Sequence, residues 1–176
     1  MTKSIWEKRP EILIEYDSKQ REYYRKKDKR CIYEQWERQM GIHKAGGNFP
    51  VMVAKKYFEK SKYVVEGNYL LVRNRKKRES MEAFKKLCRI FGEERIRKVI
   101  KKADKIFSSR GKRIAGGDPD LIVYKNENHF GSCFFIEVKE NDQITENQKA
   151  LFPIIEAYLC PVFIARVRCR ESAHNP

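Results

Sequence analysis

The stretch from Gly116 to Gln148 constrains this chain more than any other. It holds a short apolar run, Leu121-Ile122-Val123, opened by Pro119-Asp120, and a second run that ends in Glu137-Val138-Lys139. Both read as strands. Pro119, with a fixed φ and no N–H, suits the first residue or edge of a strand. Leu121 to Val123 lacks polar alternation, as expected where both faces of a strand are covered. Side chains alternate along a strand, so Phe135, Glu137 and Lys139 share one face and Phe134, Ile136 and Val138 the other. If the two strands pair through a loop at 125–132, Asp120 lies near Glu137 and Lys139. Thr145-Glu146-Asn147-Gln148 then matches a capping box, with Thr145 as cap and Gln148 reaching back to it.

Two carboxylates that close repel unless one is protonated or a cation sits between them. Mg2+ is the natural cation, a hard ion that takes one or two carboxylates and keeps several waters. It would lower the pKa of a water and neutralise charge developing on a phosphate. Lys139 could orient that water or stabilise the transition state; as a free base it would first need its pKa lowered by burial. The same residues also read as an ordinary strand-end ion pair between Lys139 and Glu137 or Asp120. Asp followed later by Glu-x-Lys does not by itself choose between the two.

The remaining sequence looks built to hold a polyanion. Residues 1–115 carry 33 Lys and Arg against 15 Asp and Glu, a net of +18, while residues 116–176 carry 6 against 9, a net of −3. A basic surface of this kind usually meets nucleic acid. The 176 residues, 41% apolar, suffice for one domain with a real core. No apolar run approaches the roughly 20 residues that span a bilayer, so no membrane partner is expected. The first residues lack an apolar signal core, which points to an intracellular protein (cytoplasmic, nucleoid or nuclear) that is not secreted. Five scattered cysteines without a CxxC pair suggest neither a zinc ribbon nor a disulfide framework, and fit a reducing compartment.

Taken in order, Ile12-Leu13-Ile14 is a short apolar run, and Asp17 or Ser18 caps a basic helix over about 19–40, with Ile32, Trp36 and Met40 as a stripe. Gly46-Gly47 breaks the pattern. A helix with Pro50 in its first turn follows over 49–61, its face made of Val51, Val53, Ala54, Tyr57 and Phe58. Tyr63 to Val65 and Tyr69 to Val72 read as strands around a tight turn at 66–68. Residues 79–107 read as helix broken near Gly92, with stripes Phe84, Leu87, Cys88, Phe91 and Ile96, Val99, Ile100, Ala103, Ile106, Phe107. Arg73, Arg75, Lys76, Lys77 and Arg78, with Lys112 and Arg113, form basic loops suited either to phosphate contact or simply to solvent. After the capping box a helix with Pro153 inside it should bend or lose its first turn, and 161–167 is a final strand. The class is α/β, a mixed central sheet flanked by helices.

Gly117-Asp118-Pro119-Asp120-Leu121, Phe135-Ile136-Glu137-Val138-Lys139, Asp142 and Gln148 together resemble the VRR-NUC domain family of the PD-(D/E)XK nuclease superfamily, over residues 113–167. The resemblance implies a restriction-endonuclease-like core of the Holliday-junction-resolvase kind. Residues 1–47 would be a basic helical extension and 48–176 the nuclease domain, with a helical insertion at 73–113. It implies a Mg2+-dependent DNA endonuclease, Mn2+ substituting, acting on branched, flapped or junction DNA in repair or recombination. Asp120 and Glu137 would hold the metal with the Val138 backbone carbonyl. Lys139 would position water, and Gln148 would face the site, a role that competes with capping. The superfamily usually adds a Glu on the helix before the first core strand, where this chain has Pro50, Val51 and Met52. Glu34, Glu37, Glu59, Glu79 and Glu82 are the candidates to replace it. A homodimer would let two single sites cut both strands of a junction. The rival readings are a nucleic-acid-binding protein on a nuclease fold, inactive or partner-dependent, and an RNA-binding basic domain.

Overall fold

The structure, a computed structural model, describes residues 9–26, 28–32, 49–67, 71–72, 82–109, 117–125 and 133–170. Among them are strands β1 (Glu11–Tyr16), β2 (Val64–Gly67), β3 (Leu121–Tyr124), β4 (Phe134–Lys139) and β5 (Val162–Cys169). The helices are α1 (Ser18–Lys26), α2 (Phe49–Lys60), α3 (Glu82–Phe91), α4 (Glu93–Ser109) and α5 (Glu146–Tyr158). The strands form one mixed sheet in the order β1-β5-β4-β3-β2. β5 runs parallel to both β1 and β4, while β3 is antiparallel to β4 and to β2. No helix among the described residues is long and apolar enough to cross a membrane.

Strand alternation divides the core into two layers. Ile122, Tyr124, Phe135, Val162 and Ile164 face α3, α4 and α5, where Leu87, Ile96, Val99, Phe107, Leu151 and Phe152 cover them. Leu121, Val123, Ile136, Val138, Ala165 and Val167 face α1 and α2, against Tyr24, Phe49, Met52, Val53 and Phe58. β3 is buried along its whole length, because both faces are covered. Each fully buried aliphatic or aromatic side chain here contributes about 1.5–3 kcal/mol.

Several expectations need correcting. The helix expected over 19–40 ends at Lys26. Asp28 then turns the chain, donating its amide to the Tyr23 carbonyl at 2.9 Å and taking the Arg30 amide on its carboxylate at 2.9 Å. Ile32, the first residue of the supposed stripe, is exposed, and Trp36 and Met40 lie outside the described residues. The run at 12–14 proves to be an edge strand, with Ile12 opposite Ala165. Glu66 and Gly67 belong to β2, opposite Ile122 and Leu121, rather than to a turn. Leu71 and Val72 are buried but are not strand. On α2 it is Met52 that is buried, while Tyr57 is exposed. Pro153 does not split α5: it lies on the exposed side of the helix, where the carbonyl it leaves unbonded can meet water.

The break at Gly92 is where the periodicity places it. Gly92 has φ +83 and donates to the Cys88 carbonyl at 2.9 Å, closing α3 before α4 begins. A Cβ there would meet no atom within 4 Å, so the demand for glycine is conformational and not steric. Gly92→Ala is expected to cost about 1–2 kcal/mol and lower Tm by a few degrees, with Gly92→Asn milder; urea and thermal unfolding would measure both.

Candidate active site

β3 and β4 deliver the site. Their antiparallel register pairs Leu121 with Ile136, which brings Asp120, just before β3, alongside the end of β4. The Asp120 carboxylate accepts the Val138 amide at 2.8 Å. Glu137 lies on the face that α5 covers, and Gln148, on the first turn of α5, donates Nε2 to Glu137 Oε1 at 2.5 Å. Lys139 Nζ is 3.0 Å from the same oxygen and 2.9 Å from Asp142 Oδ2. Glu137, Lys139 and Gln148 are 3%, 4% and 7% exposed, so this is a buried polar cluster rather than a surface ion pair.

The expected competition for Gln148 is resolved by the two ends of its amide. Its Oε1 accepts the Thr145 amide at 2.9 Å and its own backbone N–H reaches Thr145 Oγ1 at 3.3 Å, completing the capping box. The Nε2 is left for Glu137, so one side chain does both jobs. Gly117, at φ +118, lies against this first turn, where a Cβ would stand 3.5 Å from the Asn147 Cβ.

The turn from Glu140 to Thr145 is pinned from two sides. Arg166 on β5 donates to the Asp142 carbonyl at 2.9 Å. Glu140 is held by Arg21 of α1, through both guanidinium nitrogens, and by the Tyr16 hydroxyl at 3.0 Å. No spacing rule signals the Arg21–Glu140 pair, which joins residues far apart in sequence.

Burial raises the Glu137 carboxyl to about 8, and the Asp120 charge pushes the same way against Lys139 and the Gln148 hydrogen bond. Burial alone would lower the Lys139 pKa, but the hydrogen bond to Asp142 and the charge of Glu137 outweigh it, and the net shift is upward. Lys139 is therefore an ammonium, and the free-base role is not supported. Burial also opposes ionisation of Asp142, yet the Lys139 hydrogen bond leaves its pKa lowered.

Other expected residues are not gathered here. Glu59 is exposed on α2, across the sheet from Glu137, and pairs with Lys55. Glu82 is exposed at the start of α3 and pairs with Arg89 at 3.0 Å and Lys85 at 3.8 Å. Glu34, Glu37 and Glu79 lie outside the described residues, as do Arg73, Arg75, Lys76, Lys77, Arg78, Lys112 and Arg113.

The fold is a five-stranded mixed sheet packed against helices, in which Asp120 stands beside Glu137-Val138-Lys139 where β3 begins and β4 ends. Residues 51–169 match the VRR-NUC domain, and the chain belongs to that family. No curated protein and no solved structure matches it. The domain implies a nuclease of the PD-(D/E)XK kind, hence DNA as partner, and domains of this kind typically use a divalent metal.

The cluster fits such an ion. Among the described residues no three His, Cys, Asp or Glu side chains gather as a metal cage. Two hard carboxylates completed by water are nevertheless what Mg2+ accepts. Glu137 Oε2 is buried without a hydrogen-bond partner among the described residues, which a cation would supply.

The raised Glu137 pKa has a sign that can be checked. Between its ordinary 4.5 and about 8 the folded protein holds a proton that the unfolded chain has released. In metal-free buffer, stability should therefore fall as pH rises through that window. Glu137→Gln should remove this part of the fall. An equal loss in both proteins, followed by Tm, would contradict the raised pKa. The dual role of Gln148 has its own signature: Thr145→Ala should cost about 1 kcal/mol as a lost cap. Gln148→Ala should cost about 1–3 kcal/mol more, because it also strips a buried partner from Glu137; chemical denaturation would compare them.

Proposed function

We propose that this protein is a Mg2+-dependent endonuclease that hydrolyses DNA phosphodiester bonds, Mn2+ substituting, and acts on branched, flapped or junction DNA. The observation that carries the reading is the buried Glu137, with one carboxylate oxygen lacking a hydrogen-bond partner among the described residues, beside Asp120 and the Lys139 ammonium in a VRR-NUC domain. Asp120 and Glu137 would hold the ion, with the Val138 carbonyl as a further oxygen. Bound there, Mg2+ would lower the pKa of a water and offset charge on the phosphate. Lys139, kept protonated by Asp142 and Glu137, would stabilise the negative charge that develops as water adds to phosphorus and the P–O bond breaks. Gln148 would fix the Glu137 carboxylate, and Arg166 the turn behind Lys139. A homodimer would present two such sites, one for each strand of a branched substrate.

A second reading, a binding protein that is inactive or needs a partner, draws on the third acid. Neither Glu59 nor Glu82 stands at the cluster. Labelled duplex, flap and four-way-junction DNA incubated with Mg2+ or Mn2+ would separate the readings. Cleavage should stop on chelation and fall by at least about 100-fold in Asp120→Ala and Lys139→Ala. Salt-sensitive binding, with no substrate cut under either metal, would sink the nuclease and leave the binding protein.

A further inference from the structure

Helix α4 carries more cations than its fold requires. Its 17 residues include Arg95, Arg97, Lys98, Lys101, Lys102 and Lys105. At about 100° per residue, all of these except Arg97 fall within about 120° of arc, on the side away from buried Ile96, Val99, Ala103 and Phe107. All are exposed. Glu93 and Glu94 sit in the first turn, where they favour the helix dipole, and they pair with Arg97 at 2.5 Å and Lys98 at 2.7 Å. Among the described residues no carboxylate pairs with Arg95, Lys101, Lys102 or Lys105. Like charges three and four residues apart oppose helix formation, and beyond the first turn the helix carries a single acid, Asp104, at the side of the stripe. A polyanion laid along it would relieve the repulsion.

The direction of α4 gives the stripe its meaning. Arg95 lies within electrostatic reach of Cys160, and Lys98 of Tyr158, both at the far end of α5. α4 and α5 pack against each other, so they run antiparallel. The Ser109 end of α4 therefore points toward the first turn of α5, where Gln148 meets Glu137. Gly117 also lies there, against Asn147.

We infer that α4 is a track for one DNA strand, its phosphates following Arg95, Lys98, Lys101, Lys102 and Lys105 toward the Glu137 cluster. The inference rests on the nuclease reading for its destination, and on charge and helix direction for the track itself. From Arg95 to Lys105 is about 15 Å, the axial length of roughly four nucleotides in one strand of a duplex.

Binding of a labelled duplex, measured by fluorescence anisotropy across a salt series in an Asp120→Ala background, tests it. Lys101→Gln, Lys102→Gln and Lys105→Gln together should weaken binding about 10–100-fold near physiological salt and reduce the slope of log K against log salt by about 2–3. A charge-matched control, Lys56→Gln, Lys60→Gln and Lys62→Gln, lies on and just after α2, across the sheet, and should change neither. If the triple fails to fold, Lys105→Gln alone should lower the slope by about 1. Equal weakening by both triples, or an unchanged slope in the α4 triple, overturns the track. So does an α4 triple that keeps DNA but loses binding to phosphatidylserine vesicles, which would make the surface a membrane contact. Selective weakening by the α4 triple, in a protein whose unaltered form cuts no DNA, supports the track and sinks the nuclease. Cleavage by the unaltered protein, with binding unchanged in the triple, does the reverse.

Discussion

Burial of the Glu137 carboxylate is the constraint that the rest of this structure answers. A carboxylate taken out of water is costly unless it is paired and hydrogen-bonded. Here Oε1 has both the Gln148 amide and the Lys139 ammonium, while Oε2 has no partner among the described residues. Asp120 adds a second negative charge from the neighbouring strand. The protein alone thus satisfies half of the group and leaves the other half in deficit. Apolar residues of like volume in place of such a pair are often neutral for stability or better. Under the proposed nuclease reading, the open oxygen is the one a cation would meet.

The elements around the cluster are arranged to keep this geometry rigid. α5 begins where it does because Thr145 and Gln148 cap it, and that start places Gln148 over β4. The turn between them is tied at three points, because Arg166, Lys139 and Arg21 each hold a different group of it. Arg21 and Tyr16 come from α1 and β1, before the residues that match the family. The N-terminal strand and helix thus brace the site from the edge of the sheet. On the opposite edge, Lys86 of α3 grips Glu66 of β2 at 2.7 Å and ties the α3–α4 unit to the same sheet.

Local pattern carried the central part of the fold. The alternation at 133–139, the unbroken apolar run at 121–123 and the capping box are short-range features, and each appears in the structure where its chemistry places it. The break at Gly92 was legible for the same reason, since a residue free to take positive φ marks a helix end. What local pattern could not supply was pairing. Ile12-Leu13-Ile14 is too short to declare itself, and becomes strand only because β5 offers it a parallel edge. Glu66-Gly67 has turn composition, yet β3 draws both residues into the ladder. The helix expected to run on to residue 40 is stopped by Asp28, whose side chain competes for backbone amides. At the site, strand alternation and pairing brought Asp120, Glu137 and Lys139 together and the family resemblance added Gln148, but the charge state of Lys139 depended on Asp142, and only the folded turn sets that contact.

Gln148 shows how site chemistry can decide what local structure leaves open. A capping box is equally well closed by Glu or Gln at this position, because only a side-chain oxygen is asked to reach the cap amide. Here the oxygen does that work at 2.9 Å, and the nitrogen faces a buried carboxylate at 2.5 Å. A glutamate would cap the helix as well, but it would add a negative charge to that of Asp120 beside Glu137 and remove a donor that Glu137 uses. Burial already holds the Glu137 carboxyl far above its ordinary range, and a further anion would raise it more. The amide therefore meets the helix and the site at once, and the choice between two equally good caps is made by the strand next door.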